Sequence, residues 1–195
     1  MYKNQSGFRP LHSTESCLTH LSDRILEGSD KGCHTGMILI DLQKAFDTLD
    51  HELLLGKLSL MNFSCETISW FKSYLSNRTF LVNVESSFSE PADLKCGVPQ
   101  GSILGPLLFL LYINDLPQSV NDCDIRLYAD DTCISYTHKI VKTIEDKLNN
   151  DFNTLCDWFV DNKLSIHFGE DKTKTILFSP TNLRKRAEPI VIKRH

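Results

Sequence analysis

Two adjacent carboxylates, Asp130 and Asp131, stand between two runs of residues that favour β-strands. The aromatic and β-branched side chains of these runs predict a hairpin with the acids at its tip. Two like charges side by side cost free energy unless a cation neutralises them, and carboxylate oxygens are ligands that suit Mg²⁺ or Mn²⁺. The pair alone is equally consistent with an acidic turn, because Asp is favoured in turns by local hydrogen bonds.

A third carboxylate, Asp41, follows the continuous apolar run of residues 37–40, which predicts a short strand buried on both faces. An acid at that position is costly unless it is paired or binds a metal, although an exposed strand end is also common. If this strand neighbours the hairpin, Asp41, Asp130 and Asp131 meet at one sheet edge and can hold a divalent ion. Because adjacent strand residues point to opposite faces, we expect Asp130 to be the principal ligand and Asp131 a weaker one.

A segment rich in glycine and proline, residues 97–106, precedes a predicted helix. Glycine lets a ligand approach the main chain closely and a helix N-terminus favours anions, so this segment could bind a phosphate group. The Gln100 amide could donate to a phosphate, a sugar or a base, although a tight turn without a ligand explains the composition at least as well. Phe46, five residues beyond Asp41, could lie under a nucleotide sugar, but most Phe residues at such positions belong to a core.

The elements that must position these residues form a mixture of helices and strands without regular alternation, which indicates the α+β class. Ser13 or Thr14 is predicted to begin a helix that ends at Gly28, and Asp50 and Ser64 are predicted to cap two more. The other predicted elements are strands at 79–84 and 92–98, a helix at 102–112, the acidic hairpin, a helix over 141–159, and strands at 164–168 and 175–178.

Length and composition fit one soluble globular domain, with 195 residues of which 41% are hydrophobic and 24% charged. No apolar run is long enough to span a bilayer, and the N-terminus lacks a secretory signal. We therefore expect an intracellular protein, nuclear or cytoplasmic, that neither enters a membrane nor is secreted. The seven cysteines are widely spaced, which argues against a disulfide framework and against a zinc ribbon.

The net charge of −4 does not by itself indicate a nucleic-acid-binding protein. The charge is unevenly distributed, however, since seven Lys and Arg residues and a single acid, Glu188, lie from Lys172 onward. A basic end of this kind could follow a phosphate backbone, although a solvated basic tail is an ordinary feature of soluble proteins.

Four segments of the chain occur in the order found in reverse transcriptases. They are QSGFR at 5–9 with HST at 12–14, IDLQKAFDTLDH at 40–51, GVPQGSILGP at 97–106 and YADD at 128–131. These segments extend from residue 5 to residue 131, and they most resemble those of non-LTR retrotransposons, the LINE and jockey-like elements.

The resemblance implies a right-hand polymerase palm with partial fingers, in which an antiparallel sheet packs on helices. Residues 1–36 would be a fingers remnant, residues 37–179 the palm and residues 180–195 a basic tail. The chain would then end before the primer grip and the thumb, as a fragment of a larger polymerase.

The resemblance also implies a role for individual residues. Asp41, Asp130 and Asp131 would be catalytic metal ligands, and Lys172 would protonate the departing pyrophosphate, with Lys174 as second candidate. Five further residues would contact the incoming nucleotide. Phe46 would be the steric gate, Pro99, Gln100 and Gly101 would line the nucleotide site, and Arg9 would lie near the triphosphate.

The expected activity is that of an RNA-directed DNA polymerase, which transfers deoxynucleotides from their triphosphates to the 3′-hydroxyl of a DNA primer on an RNA template. Two Mg²⁺ ions, or Mn²⁺, would be the cofactors. The alternative is a non-catalytic palm remnant that binds nucleic acid or a partner protein. Another palm-type metal enzyme, such as a nucleotide cyclase, is less consistent with Phe46 and with the segment at 99–101.

Overall fold

A computed structural model of the chain describes residues 1–169, 172–180 and 190–193. The helices are α1 (Thr14–Asp30), α2 (Ala45–Thr48), α3 (His51–Leu60), α4 (Cys65–Leu75), α5 (Leu104–Tyr112) and α6 (Val141–Asp161), with a 3₁₀ turn at Leu116–Ser119. The strands are β1 (His34–Ile40), β2 (Thr79–Phe80), β3 (Asn83–Val84), β4 (Ser87–Phe88), β5 (Ala92–Asp93), β6 (Asp124–Tyr128), β7 (Asp131–His138) and β8 (Lys174–Phe178).

The elements belong to two compact units. The first, here called the sheet unit, comprises residues 1–43 and the described residues from 114 onward, and the second, the helical unit, comprises residues 44–113. The predicted divisions at residues 36 and 179 stay predictions. No helix in the described ranges combines the length and the apolar character needed to cross a membrane.

The sheet unit contains a four-stranded sheet in the order β6–β7–β1–β8, in which every neighbouring pair is antiparallel. This confirms an α+β fold with an antiparallel sheet. Strand β1 lies in the interior of the sheet and is buried along nearly its whole length, as the apolar run predicted. It begins three residues before that run, at His34, because Thr35 and Gly36 continue the ladder with β7.

Helices α6 and α1 pack on opposite faces of this sheet. A Cβ added at Gly36 would collide with Ile144 and Leu148, which places α6 directly on β1. On the other face, a Cβ at Gly28 would lie 2.8 Å from side-chain atoms of Thr35 and of Thr137. The prediction that Gly28 ends α1 is therefore wrong: the helix continues to Asp30, and the glycine allows close packing on the sheet.

The helical unit confirms the predicted caps and corrects the predicted strands. The Asp50 side chain accepts from the Leu53 N–H at 2.9 Å, and Ser64 accepts from the Thr67 N–H at 3.3 Å. The strands expected over 79–84 and 92–98 are reduced to two-residue pairs, β2 with β5 and β3 with β4, whose residues are all exposed.

In the sheet unit, the strand expected at 164–168 is also absent from the described structure. Only Ile166 bridges there, to Leu42. The helix predicted over 141–159 is confirmed, and its apolar period faces the interior, with Ile144, Leu148 and Phe152 each no more than 2% exposed.

Candidate active site

The register of the sheet brings Asp41, Asp131 and Lys172 into one row. Ile40 pairs with Thr132 of β7, and Leu39 pairs with Lys174 of β8. Continuing each antiparallel ladder past the end of β1 places Asp41 opposite both Asp131 and Lys172, on one face of the sheet. The contact with Lys172 is direct, since its Nζ lies 3.0 Å from Asp41 Oδ2.

The predicted acidic hairpin is confirmed, and its turn consists of Ala129 and Asp130 alone. Tyr128 pairs with Asp131 across this turn, so the Tyr128 side chain extends the same row. Asp130 lies in the turn rather than on a strand, and alternation along a strand therefore does not separate it from Asp131. The ranking of the two acids as metal ligands stays a prediction.

A cavity of about 370 Å³ lies along this row, between the sheet and helix α1. Its lining includes all four residues of the row, and α1 contributes Cys17, Leu18 and Leu21. The sequence reasoning missed Tyr128 as a lining residue. The hairpin signal could have found it, because a two-residue turn fixes the pairing of Tyr128 with Asp131.

Several charges meet at Asp131. Partial removal of water from its carboxyl group raises the pKa of Asp131 above the usual value. The negative charges of Asp130 and Asp41 raise this pKa further, whereas the Lys172 ammonium lowers it. The ionised acids therefore repel one another, and a cation placed among them would relieve that repulsion.

The main chain around Asp41 is fixed from two sides. Its N–H donates to Thr173 Oγ1 at 3.3 Å, and its carbonyl accepts from the His167 N–H at 2.8 Å. Asp171, which precedes Lys172, lies outside the described residues, as does most of the predicted basic tail. Within the described ranges, Lys172 is the basic residue that approaches Asp41.

The carboxylates fit a divalent ion by their chemistry, because oxygen donors are those that Mg²⁺ and Mn²⁺ prefer. Among the described residues, no three His, Cys, Asp or Glu side chains are arranged closely enough to form a metal site. The acids are thus gathered at one place without being closed around an ion.

In the helical unit, Phe46 and the segment 97–101 lie together. Gly97 has φ +82°, and a Cβ there would lie 2.6 Å from the Asp47 carbonyl oxygen, so only glycine fits this approach. The Val98 N–H donates to the Phe46 carbonyl at 2.9 Å, and Gln100 Nε2 donates to Asp47 Oδ1 at 2.8 Å. The segment is therefore held against the short helix α2.

The Phe46 ring packs on Phe109 of α5, with ring centroids 4.6 Å apart and planes inclined by 30°. This contact fixes the ring without burying it completely. Pro99 and Gly101 flank Gln100, and Gly101 has φ +77°, a conformation that favours glycine.

The Arg9 side chain, in the sheet unit, is bound to main-chain carbonyl groups. Its Nη1 donates to the carbonyls of Tyr2, Lys3 and Gln5 at 2.9 to 3.3 Å. The guanidinium thus closes the N-terminal turn in this structure, and contact with a triphosphate stays a prediction.

Comparison with known proteins identifies the family of the chain. The family described as reverse transcriptase (RNA-dependent DNA polymerase) matches residues 1–189. The chain is 35% identical over 80% of its length to the probable RNA-directed DNA polymerase from transposon BS of Drosophila melanogaster. It is 30% identical over 97% of its length to the one from the X-element of the same species, and 30% over 86% to the RNA-directed DNA polymerase from mobile element jockey of Drosophila funebris.

The chain spans only 18%, 21% and 19% of the length of these three relatives. The matched region contains the acidic hairpin, strand β1 and Asp41, which follows that strand. The chain therefore belongs to the reverse transcriptase family.

Proposed function

We propose that the chain contains the palm and part of the fingers of an RNA-directed DNA polymerase, with the division at residues 36 and 179 given above. The observation that supports this most is the row formed by Asp41, Asp131 and Lys172 at the turn end of the sheet. In a member of the reverse transcriptase family, such a row is suited to nucleotide transfer.

Asp41, Asp130 and Asp131 would hold two Mg²⁺ ions, which Mn²⁺ could replace. When bound, the ions would lower the pKa of the primer 3′-hydroxyl and stabilise the charge of the leaving pyrophosphate. The contribution of the protein would be to bring the three carboxylates together against their mutual repulsion. Loss of water around the Asp131 carboxyl group raises its pKa most, and the charges of Asp130 and Asp41 raise it further.

Lys172 would carry the proton that the departing pyrophosphate needs. Its Nζ is placed by Asp41 at the edge of the row, and about half of its side chain is exposed, at 49%. A nucleotide bound along the row could therefore reach the ammonium group. Lys174, the first residue of β8, is the second candidate.

The substrates would be an RNA template, a DNA primer and deoxynucleoside triphosphates. Template pairing would select the base, so the protein needs contacts to shape and backbone more than to base edges. On the family correspondence, Phe46 would exclude a ribose 2′-hydroxyl, and Pro99, Gln100 and Gly101 would contact the nucleotide. The Gln100 amide, now bonded to Asp47, would be shared with that nucleotide.

The Phe46→Ala substitution should admit ribonucleotides. Removing the ring leaves space where the 2′-hydroxyl would lie, so the ratio of ribonucleotide to deoxynucleotide incorporation should rise by about tenfold or more. Single-nucleotide extension with each triphosphate measures this ratio. Phe88→Ala is a suitable control, because Phe88 is 68% exposed on strand β4; unchanged sugar discrimination in Phe46→Ala would remove Phe46 from the site.

The proposed function is tested by primer extension with the 195-residue chain. A DNA primer annealed to an RNA template should be extended with the template sequence when Mg²⁺ and the four deoxynucleotides are present. Extension should stop when EDTA removes the ion and should resume with excess Mg²⁺. Binding of the primed template without extension would overturn the catalytic proposal and leave a nucleic-acid-binding remnant.

A further inference from the structure

We infer that Gln5 is a positioning residue that holds the turn of the acidic hairpin in the shape its acids require. This inference rests on the proposed function, since it gives the turn a catalytic purpose. Gln5 lies outside both the acidic hairpin and the four strands of the sheet.

The Gln5 carboxamide forms a closed set of hydrogen bonds with the turn. Its Oε1 accepts from the N–H of Ala129 at 3.0 Å and from the N–H of Gly7 at 2.7 Å, and its Nε2 donates to the Ala129 carbonyl at 3.3 Å. Both main-chain polar groups of Ala129 are therefore bonded to one side chain. Gln5 is only 1% exposed, so these bonds are made away from water, where a missing partner is costly.

The segment that carries Gln5 is fixed along β6. The Ser6 N–H donates to the Leu127 carbonyl at 2.8 Å, and the Leu127 N–H donates to the Asn4 carbonyl at 3.1 Å. Gly7 then passes so close to Ala129 that an added Cβ would collide with the Ala129 nitrogen and lie 2.8 Å from its Cα. The glycine thus allows the contact, and the Gln5 amide makes it specific.

The turn needs such support because Ala129 has φ +54°. The left-handed region is unfavourable for a residue with a Cβ, so neighbouring bonds must hold Ala129 there. Ala129 directly precedes Asp130, and Asp131 follows as the first residue of β7. A change in the backbone at Ala129 therefore redirects both acids, and displacement of a reacting group by about 1 Å can cost on the order of 10²-fold in rate.

The decisive variant is Gln5→Met, which keeps the length and volume of the side chain but removes every hydrogen bond to Ala129. Binding of Mn²⁺ to the chain is measured by its paramagnetic resonance signal, without nucleotide or primer. We expect Gln5→Met to weaken Mn²⁺ binding by about tenfold or more, because losing a residue that orients metal ligands commonly has an effect of this size. In primer extension, kcat should fall while KM for the nucleotide stays nearly unchanged.

A matched control separates positioning from general loss of stability. Leu155→Ala removes a fully buried side chain of α6, at 0% exposure, and should destabilise the fold without altering Mn²⁺ binding. Amide exchange at Ala129, followed by NMR, should accelerate in Gln5→Met more than in Leu155→Ala when the two are compared at equal stability.

The outcomes distinguish this inference from the proposed function. If the wild-type chain binds Mn²⁺, Asp41→Asn abolishes that binding and Gln5→Met leaves it unchanged, the role of Gln5 is overturned and the proposed function stands. If the wild-type chain and Asp41→Asn bind Mn²⁺ equally weakly, the metal site fails and the positioning role falls with it.

Discussion

The Asp130→Asn substitution is expected to lower template-directed primer extension by on the order of 10³-fold or more, and to leave the fold intact. Asn keeps the size of the side chain and its fit in the turn, but it removes a negative charge from the proposed metal site. A metal ion supplies several kcal/mol of transition-state stabilisation, and each 1.36 kcal/mol is a factor of ten in rate. Gel-resolved extension of a labelled primer measures the loss.

Asp157→Asn is the matched control, because Asp157 is an exposed acid of α6 and its loss makes the same change in net charge. This variant should extend the primer as the wild-type chain does. Asp41→Asn and Asp131→Asn complete the series, and the losses in Asp130→Asn and Asp131→Asn would rank the two neighbouring acids of the hairpin. Near-wild-type extension by Asp130→Asn would contradict its role as a ligand.

The second large effect concerns stability. Asp151 of α6 is 1% exposed, and its carboxylate accepts from the N–H groups of Asn121, Asp122 and Cys123 at 3.1, 2.9 and 2.7 Å. These bonds tie the loop that leads into β6 to the long helix. Because a hydrogen bond to a charged group contributes about 1.5–3 kcal/mol, Asp151→Asn should lower the free energy of unfolding by roughly 2–4 kcal/mol.

Urea unfolding followed by circular dichroism measures this loss. The control is Asp146→Asn on the same helix, whose exposed ion pair with Lys142, at 3.0 Å, should contribute little to the free energy of unfolding. Equal stability of the two variants would show that the carboxylate of Asp151 is not needed to hold the loop.

The Cys123 thiol offers a second measurement. Burial raises the pKa of this thiol most, and the hydrogen bond to Asp151 and the negative charge of Asp151 raise it further. Its reaction with iodoacetamide should therefore accelerate in Asp151→Asn.

Local signals in the sequence predicted the helices well. The caps at Ser13, Asp50 and Ser64 were found because a capping side chain bonds to a backbone group only three residues away. The hairpin was found for a similar reason, since its two strands are joined by two residues. The buried strand β1 was found from its apolar run, because both faces of an interior strand avoid water.

The signals that failed depend on contacts distant in sequence. Glycine is common at helix ends, so Gly28 was predicted to end α1. Its close approach to Thr35 and Thr137 explains why it lies inside the helix. The register that aligns Asp41 with Asp131 is likewise set by strand pairing, which a single sequence does not encode locally. The strands expected at 79–84 and 92–98 have the right propensity, but the residue pairs that form there are exposed and gain little from burial.

The row of charges has a consequence for synthesis of the protein. The Asp41 amide and the Thr173 hydroxyl that accepts from it are 132 positions apart, and β8 lies on the far side of β1 from the hairpin. During translation, β1 can therefore pair with the hairpin while Lys172 is still inside the ribosome. At that stage the carboxylates of Asp41 and Asp131 repel each other without the Lys172 ammonium beside them. Folding of this edge should then be completed only after β8 emerges, which makes it a late and chaperone-sensitive step of translation.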